Sequence, residues 1–230
     1  VFLNEYRETP EEENEQFDFF LFTKLNEIRD YFYQVIQNRE LTVPFRMALL
    51  LTTAHDLQKR IDREQLYAVD DLLKRYQNPA FRNTAERKFV PYQGHGVKSR
   101  VQCFKMWQKL YRLEILRPRW REYLKQQEQV LYRDLSQEAY EEAQKEFAEY
   151  YKERMFEYEQ LLMYYVFCYL CGAVYDGDLF SKVKLAVMNT RMIQELDVAA
   201  WLAQGKQLSF DDQIQLVHRY ARETEHSDLD

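Results

Sequence analysis

Two cysteines three residues apart are the first feature of this sequence that could carry chemistry. Cys168 and Cys171 form a CxxC pair, which supplies two of the four thiolates that a structural zinc ion or an iron–sulfur cluster requires. The third cysteine, Cys103, has no cysteine neighbour in the sequence. Free cysteine is among the most buried residue types, so we interpret the pair as part of a helical core and expect no metal site within this chain.

A glycine pair at Gly94 and Gly96, separated by His95, is the second feature. Glycine-rich turns between a strand and a helix let the backbone approach a nucleotide-type cofactor closely. No strand pattern precedes this turn, and two glycines are a weak match to such a motif. We therefore interpret it as part of a loop.

A strongly basic stretch runs from Lys98 to Lys125, where nine basic residues stand against two acidic ones. Trp107, Tyr111, Trp120 and Tyr123 are interleaved with them. Basic residues with aromatics can bind single-stranded nucleic acid through phosphate pairing and base stacking. The segment from Asp134 to Glu159 has the opposite balance, nine acidic residues against three basic ones. We therefore favour neutralisation between two packed helices, with a protein partner as the next interpretation; nucleic acid is the least favoured, and the net charge of −6 argues against it.

The elements that position these residues are predicted to be helices. Only five glycines and five prolines occur in 230 residues, too few for the turns of a β-rich fold, while 46% hydrophobic residues can form a sizeable core. Apolar residues recur at steps of three and four, which places them on one helical face. Two such stripes are Leu21, Leu25, Ile28, Phe32, Val35 and Met47, Leu50, Ala54, Leu57, Ile61.

The sequence thus predicts an all-α fold, an irregular bundle of roughly seven to nine helices. Residues 1–16, acidic and interrupted by Pro10, are predicted to be a linker, and residues 17–230 a single helical domain. Within it, a helical pair at 17–62 is expected to pack on a C-terminal bundle at 136–226. The longest apolar run, 161–175, is shorter than the ~20 residues of a membrane span, so we expect no membrane association.

The sequence contains residues that are expected to end or interrupt the later helices. Residues 78–97 contain two prolines and the glycine pair, and they are predicted to form an irregular loop. The periodic stretch from Ser136 to Val174 is too long for one globular helix, so a break is expected near Lys152 to Arg154. Gly205 is expected to end the next helix, and a final helix should bury the stripe Phe210, Ile214, Val217, Ala221 and Thr224.

Charged residues cluster at two of these helix ends. Asp176, Gly177 and Asp178 can stop one helix and cap the next, with Lys182 one turn later. At the end of the last helix, Arg222, Glu223, Glu225 and His226 have the ordinary interpretation of a solvated surface. Capping and solvation are sufficient explanations of both clusters when they are considered residue by residue.

Several sequence blocks together resemble the C-terminal region of the bacterial flagellin lysine-N-methylase family. They are Tyr175-Asp176-Gly177-Asp178-Leu179-Phe180-Ser181-Lys182-Val183-Lys184, Glu195-Leu196-Asp197-Val198-Ala199-Ala200-Trp201-Leu202 and Arg222-Glu223-Thr224-Glu225-His226-Ser227. Weaker similarity extends upstream to Ile28-Arg29-Asp30-Tyr31-Phe32 and Ala54-His55-Asp56-Leu57-Gln58, so the resemblance covers most of the chain. It is a similarity of helical blocks without a catalytic fingerprint.

The resemblance implies a cytoplasmic parent enzyme that transfers methyl groups from S-adenosylmethionine to lysine side chains of flagellin or another protein. It also implies a cysteine-rich N-terminal region, the expected place of any iron–sulfur cluster, which is missing here; this chain is therefore expected to be incomplete by itself and to hold no cofactor alone. The candidate contact residues for substrate or for the missing region are Asp176, Asp178, Lys182, Arg222, Glu223, Glu225 and His226.

The catalytic residues stay unassigned at this point. A lysine amine must lose its proton before it attacks a methyl group, and a carboxylate or tyrosine cage suits that task. Four tyrosines beside the strongest block are available for it: Tyr164, Tyr165, Tyr169 and Tyr175. The alternative is a non-catalytic helical scaffold that docks a protein partner or positions the missing cysteine-rich region.

Overall fold

The computed structural model describes residues 17–89, 97–114 and 116–224, with helices, connecting turns and no strand among them. Ten of its α-helices have nine or more residues, and α9 is a single turn. The bounds are α1 (Phe19–Gln37), α2 (Val43–Ile61), α3 (Val69–Gln77), α4 (Pro79–Phe89), α5 (Val97–Leu110), α6 (Pro118–Glu128), α7 (Gln137–Tyr150), α8 (Phe156–Tyr169), α9 (Ala173–Asp176), α10 (Leu179–Ala203) and α11 (Phe210–Thr224). The all-α prediction is confirmed, with slightly more helices than expected.

The first two helices follow the predicted apolar spacing. Helix α1 buries its stripe completely at Leu25, Ile28 and Phe32. Helix α2 begins as predicted, because the Thr42 side chain accepts a hydrogen bond from the amide of Phe45 and a proline lies in the first turn. The two helices pack on each other, α1 also contacts α8, and α2 also contacts α10.

Helix α10 is the centre of the fold and contacts α2, α5, α6, α7, α8 and α11. It begins after Gly177, whose φ of 69° is left-handed, and its N-cap is Asp178, which accepts a hydrogen bond from the amide of Ser181 at 2.9 Å. It ends before Gly205, whose φ is 67°. These stop and cap predictions are confirmed. Every residue of α10 from Glu195 to Trp201 is buried, so a polar residue in this stretch requires a partner within the protein.

The long periodic stretch is broken where the sequence indicated. Helix α7 ends at Tyr150, a single 3₁₀ turn covers Lys152–Arg154, and α8 begins at Phe156. The apolar run of 161–175 is likewise divided, since α8 ends at Tyr169 and a second 3₁₀ turn precedes α9. In the part of the chain that the structure describes, no helix combines the length and the apolarity needed to cross a bilayer.

The predicted loop at 78–97 is wrong over its first half, where α4 forms. The Asn78 side chain accepts a hydrogen bond from the amide of Ala80 at 2.9 Å, and Pro79 is the first helical residue. A proline at this position costs nothing, because the first amides of a helix lack intrahelical partners. The glycine pair at Gly94 and Gly96 lies outside the described residues.

Helix α11 is rotated about its axis relative to the predicted stripe. Phe210 is 55% exposed, and the buried positions are Gln213, Leu216, Tyr220 and Glu223. The prediction failed because it assumed that polar residues face water. Two polar side chains, Gln213 and Glu223, face inward here, and the environment of Glu223 is described below.

Candidate functional site

The first predicted contact segment, the turn into α10, is held together by its own charges. Partial burial disfavours the charged form of Asp176, but its ion pair with Lys182 outweighs this and lowers the carboxyl pKa. Asp178 is occupied as the N-cap of α10. Gln58 of α2 donates to the carbonyl of Gly177 at 2.8 Å and accepts from the amide of Phe180 at 3.0 Å. Local structure accounts for the charges of this turn.

The second predicted segment, the end of α11, differs from its expected solvated state. Glu223 is 2% exposed, and its carboxylate accepts hydrogen bonds from the backbone amides of Leu116 at 3.0 Å and Arg117 at 3.3 Å. The interpretation of Glu223 as solvated is therefore wrong: it fixes the chain segment that enters α6. Arg222 beside it is exposed.

The structure places the two predicted segments against different elements. The turn into α10 contacts α2 through Gln58, whereas the end of α11 contacts the chain segment before α6 through Glu223. Glu225 and His226 lie outside the described residues. Whether these segments form one functional surface remains a prediction.

A groove of about 410 Å³ lies between the start of α6 and α11, and we call it the α6–α11 groove. Gln215, His218, Arg219 and Arg222 are spaced by three and four along α11, so they share one helical face. The wall on the α6 side includes Trp120, which is 2% exposed. The full lining is Arg117, Arg119, Trp120, Gln215, His218, Arg219, Arg222 and Glu223.

A second groove, about 510 Å³, lies on the other side of α6 and is called the α5–α6 groove. Arg121 and Lys125, one helical turn apart, supply its basic residues. Its acidic residue, Glu128, is already engaged by the Tyr111 hydroxyl at 2.8 Å and by Arg133 at 2.8 Å. Basic side chains therefore flank both sides of α6.

The predicted neutralisation of this basic region by residues 134–159 is wrong for the described residues. The ion pairs of that acidic region are made with Lys145, Lys152, Lys206 and arginines outside the basic stretch. No ion pair among the described residues uses a basic residue of 99–125. Arg100 instead donates to the carbonyls of Tyr132 and Leu135. Around α6, Arg117, Arg119, Arg121 and Lys125 therefore make no ion pair with any acidic residue that the structure describes.

Aromatic rings of α6 hold one arginine of the α6–α11 groove. The guanidinium carbon of Arg219 lies 4.7 Å from the ring centroid of Tyr123, which stacks on Trp120 at 5.7 Å.

On α10, Asp197 is fully buried and accepts a hydrogen bond from the Tyr158 hydroxyl at 2.7 Å. Burial raises the pKa of Asp197 to about 8. Asp197 therefore holds a proton near neutral pH.

Glu195, two residues earlier on α10, has a different environment. Its carboxylate accepts hydrogen bonds from the hydroxyls of Tyr132 at 2.6 Å and Tyr140 at 3.0 Å and from the Gln144 amide at 3.0 Å, and it pairs with Arg191 at 2.6 Å. Burial, followed by the charge of Glu195, raises the pKa of both tyrosines far above its usual range, so both hydroxyls stay protonated donors. This network joins α10 to α7 and to the short π-helical segment Gln129–Arg133 that follows α6.

The cysteine pair is less buried than predicted. Cys168 is exposed, so the core assignment is wrong for it. Cys171 is partly buried at the edge of the core, with its sulfur 3.6 Å from Nη1 of Arg29. Cys103 is buried, and burial raises its thiol pKa to about 11. The described residues contain no group of three or more His, Cys, Asp and Glu side chains arranged for a metal ion; the presence or absence of a metal stays a prediction.

The four tyrosines named as a possible cage do not share one environment. Tyr165 is 1% exposed, whereas Tyr164 is 44% and Tyr175 is 73% exposed, and Tyr169 is partly buried. A cage that excludes water from a lysine amine needs its rings on one enclosed surface. These residues do not form such a cage in this structure.

Sequence reasoning missed the two buried acids and the inward-facing Gln213 and Glu223. One signal was present, because Glu195 and Asp197 occur within a block of Leu, Val, Ala and Trp residues that can only be buried. An acidic residue in such a block requires an internal proton donor or a bound proton. The partners themselves, such as Tyr132 and Tyr158, are 63 and 39 residues distant in sequence.

Comparison with known families gives a match over most of the chain. The family described as the FliB lysine N-methylase C-terminal domain matches residues 29–230. No curated protein and no solved structure matches this chain.

Proposed function

Because the chain belongs to the family of the FliB lysine N-methylase C-terminal domain, we propose that it is the helical part of a bacterial enzyme that methylates lysine side chains of flagellin. The methyl donor in this proposal is S-adenosylmethionine. The reaction takes place in the cytoplasm, a reducing compartment suited to a chain whose cysteines are free. Within the enzyme, this chain binds the protein substrate.

The charge of the α6–α11 groove and the size of a third groove support a site for S-adenosylmethionine outside this chain. Its sulfonium and ammonium groups outweigh its one carboxylate, so the molecule is a cation and would meet the like charge of four arginines in the α6–α11 groove. The groove lined by Tyr31, Val35, Tyr76 and Arg82, among others, has only about 230 Å³, below the usual range for such a ligand. We therefore propose that the cysteine-rich region of the parent enzyme holds the methyl donor and any iron–sulfur cluster.

The observation that supports substrate binding by this chain is that the arginines of the α6–α11 groove make no ion pair among the described residues. Exposed charges of this kind contribute little to the stability of the fold. Arginine is enriched at protein interfaces, where its planar guanidinium group pairs with carboxylates and stacks on aromatic rings. The groove therefore has the chemistry of a protein-binding surface.

The proposal is tested in the parent enzyme that joins this chain to its cysteine-rich region. Replacing Arg119 and Arg222 by Gln is expected to raise the KM for flagellin, because both side chains line the groove, and to change kcat little. The control is Arg87→Gln with Lys88→Gln, the same loss of charge on exposed residues of α4. Equal kinetics in the two variants would contradict substrate binding at the groove.

The place of the methyl donor is tested separately. We expect S-adenosylmethionine to leave the thermal unfolding temperature of this chain unchanged and to raise that of the parent enzyme, because a ligand stabilises only a protein that binds it. A rise for the chain alone would show that a donor site lies within it and would contradict the division of roles proposed above.

The second candidate function is a scaffold that positions the cysteine-rich region, and exposed aromatic rings beside the predicted contact turn favour it. Phe19 is 74% and Tyr175 is 73% exposed, and the Phe17 ring lies 4.8 Å from the first and 6.1 Å from the second. Exposed aromatic clusters are typical of protein contacts. Phe19→Ser with Tyr175→Ser should separate the two regions in a pull-down if the scaffold role holds, and unchanged association would exclude it.

A further inference from the structure

We propose that the basic surface around α6 binds an acidic segment of the protein substrate, with the α6–α11 groove as its centre. This inference rests on the proposed function, since it assigns the chemistry of the partner that the groove receives. The groove contains four arginines and one glutamate, a formal charge of +3 with His218 neutral. Such a charge in a concave surface attracts carboxylates and steers their approach.

The geometry of α6 extends this surface beyond one groove. Arg121 and Lys125 lie one turn apart on the α5–α6 side, while Arg117 and Arg119 line the α6–α11 side. An extended peptide that crosses the start of α6 can therefore meet cations from both grooves. The guanidinium of Arg219 is already oriented by its contact with the Tyr123 ring, which lowers the entropy cost of pairing with a ligand carboxylate.

The acidic residues within the grooves cannot neutralise these cations. The Glu223 carboxylate is buried and accepts two backbone amides, and Glu128 is held by Tyr111, Gln108 and Arg133. Both are committed to the fold and are not free to move outward. No acidic side chain of the described residues forms an ion pair with the groove arginines, so these cations are available to carboxylates of another molecule.

An acidic protein segment fits this surface better than nucleic acid does. The chain as a whole carries a net charge of −6, which repels a long polyanion once it extends beyond the local basic surface. A short peptide presents its carboxylates without that repulsion. The fork geometry of arginine gives bidentate pairs with single carboxylates. A flagellin segment with clustered Asp and Glu near a target lysine has the required chemistry.

The test uses the 230-residue chain and fluorescently labelled peptides in an anisotropy titration. The probe is a flexible peptide with clustered Asp and Glu, and its matched control has Asn and Gln at the same positions. We expect the acidic peptide to bind, to weaken with added salt, and to lose about tenfold in affinity with Arg119→Gln/Arg222→Gln. The α4 variant Arg87→Gln/Lys88→Gln should bind like the parent chain.

Three results would overturn the inference: equal binding of the acidic and amide peptides, equal weakening by the groove and α4 variants, or groove-dependent binding that is tighter for a single-stranded oligonucleotide. The assay contains no methyl donor, so it is independent of catalysis. Peptide binding with no flagellin methylation by the parent enzyme would refute the proposed function alone. Methylation without peptide binding would refute this inference alone.

Discussion

The interior of α10 and the α6–α11 groove both contain charged residues. Those in α10 are buried and hydrogen-bonded, whereas the arginines of the groove are exposed. Glu195 is fully buried and accepts hydrogen bonds from three other side chains besides its ion pair with Arg191. Arg119 and Arg222 are exposed and have no acidic partner among the described residues. Buried charge must be satisfied for the chain to fold, whereas exposed charge without a partner remains available for binding. Substitutions inside α10 should therefore lower the stability of the fold, whereas substitutions in the groove should lower binding.

The largest effect is expected from Glu195→Ala. The substitution removes the acceptor of two tyrosine hydroxyls and leaves the guanidinium of Arg191, which is only 24% exposed, without its carboxylate. We expect a loss of about 4 kcal/mol in the free energy of unfolding, measured by urea titration. A loss below about 1 kcal/mol would show that the network is not required for the fold.

A pH dependence of stability is expected from Asp197. Its pKa is raised to about 8 in the folded protein, from 3.8 in the unfolded chain, so between these values the folded state holds a proton that the unfolded state has lost. The contribution of Asp197 to the free energy of unfolding must therefore fall as pH rises toward 8. We expect a loss of about 3–4 kcal/mol between about pH 5 and pH 8.

Asp197→Asn provides the matched control for that experiment. The amide is neutral in both states and its oxygen can still accept from the Tyr158 hydroxyl. Urea titrations over the same pH range should give a flatter profile for the variant than for the parent chain. Parallel profiles would mean that Asp197 does not hold the proton.

Glu223→Ala should have an intermediate effect, because this residue lies where the two regions meet. Its carboxylate is buried, but the two amides that it accepts belong to the exposed residues Leu116 and Arg117, to which water has access. We expect a loss of about 1–2 kcal/mol by thermal or urea unfolding. A loss of stability as large as that of Glu195→Ala would show that the fold requires Glu223 as much as it requires Glu195.

The smallest effect on stability is expected from Arg119→Gln with Arg222→Gln. Neither side chain makes an ion pair among the described residues, so the free energy of unfolding should change by less than about 0.5 kcal/mol. The same protein should lose acidic-peptide binding in the anisotropy assay. A marked destabilisation would show that the groove arginines serve the fold, and the contrast between the two regions would disappear.

The accuracy of the sequence predictions varies with the range of the interactions involved. The caps at Thr42 and Asp178, the stop at Gly177 and the break near Lys152 were predictable because each depends on a few neighbouring residues. Helix α4 was missed for a related reason: Pro79 was taken as a helix breaker, although it occupies the first helical position.

The sequence by itself determined the all-α class, the family and the positions of most helix ends. These follow from local spacing and from blocks of similar residues. Only the tertiary structure decided the inward face of α11, the partners of Glu195 and Asp197, and which described arginines around α6 make no ion pair with another described residue. Each of these depends on residues far apart in the sequence. Whether a charge is buried and satisfied or exposed and free is set by which helices pack together, and local spacing does not contain that information.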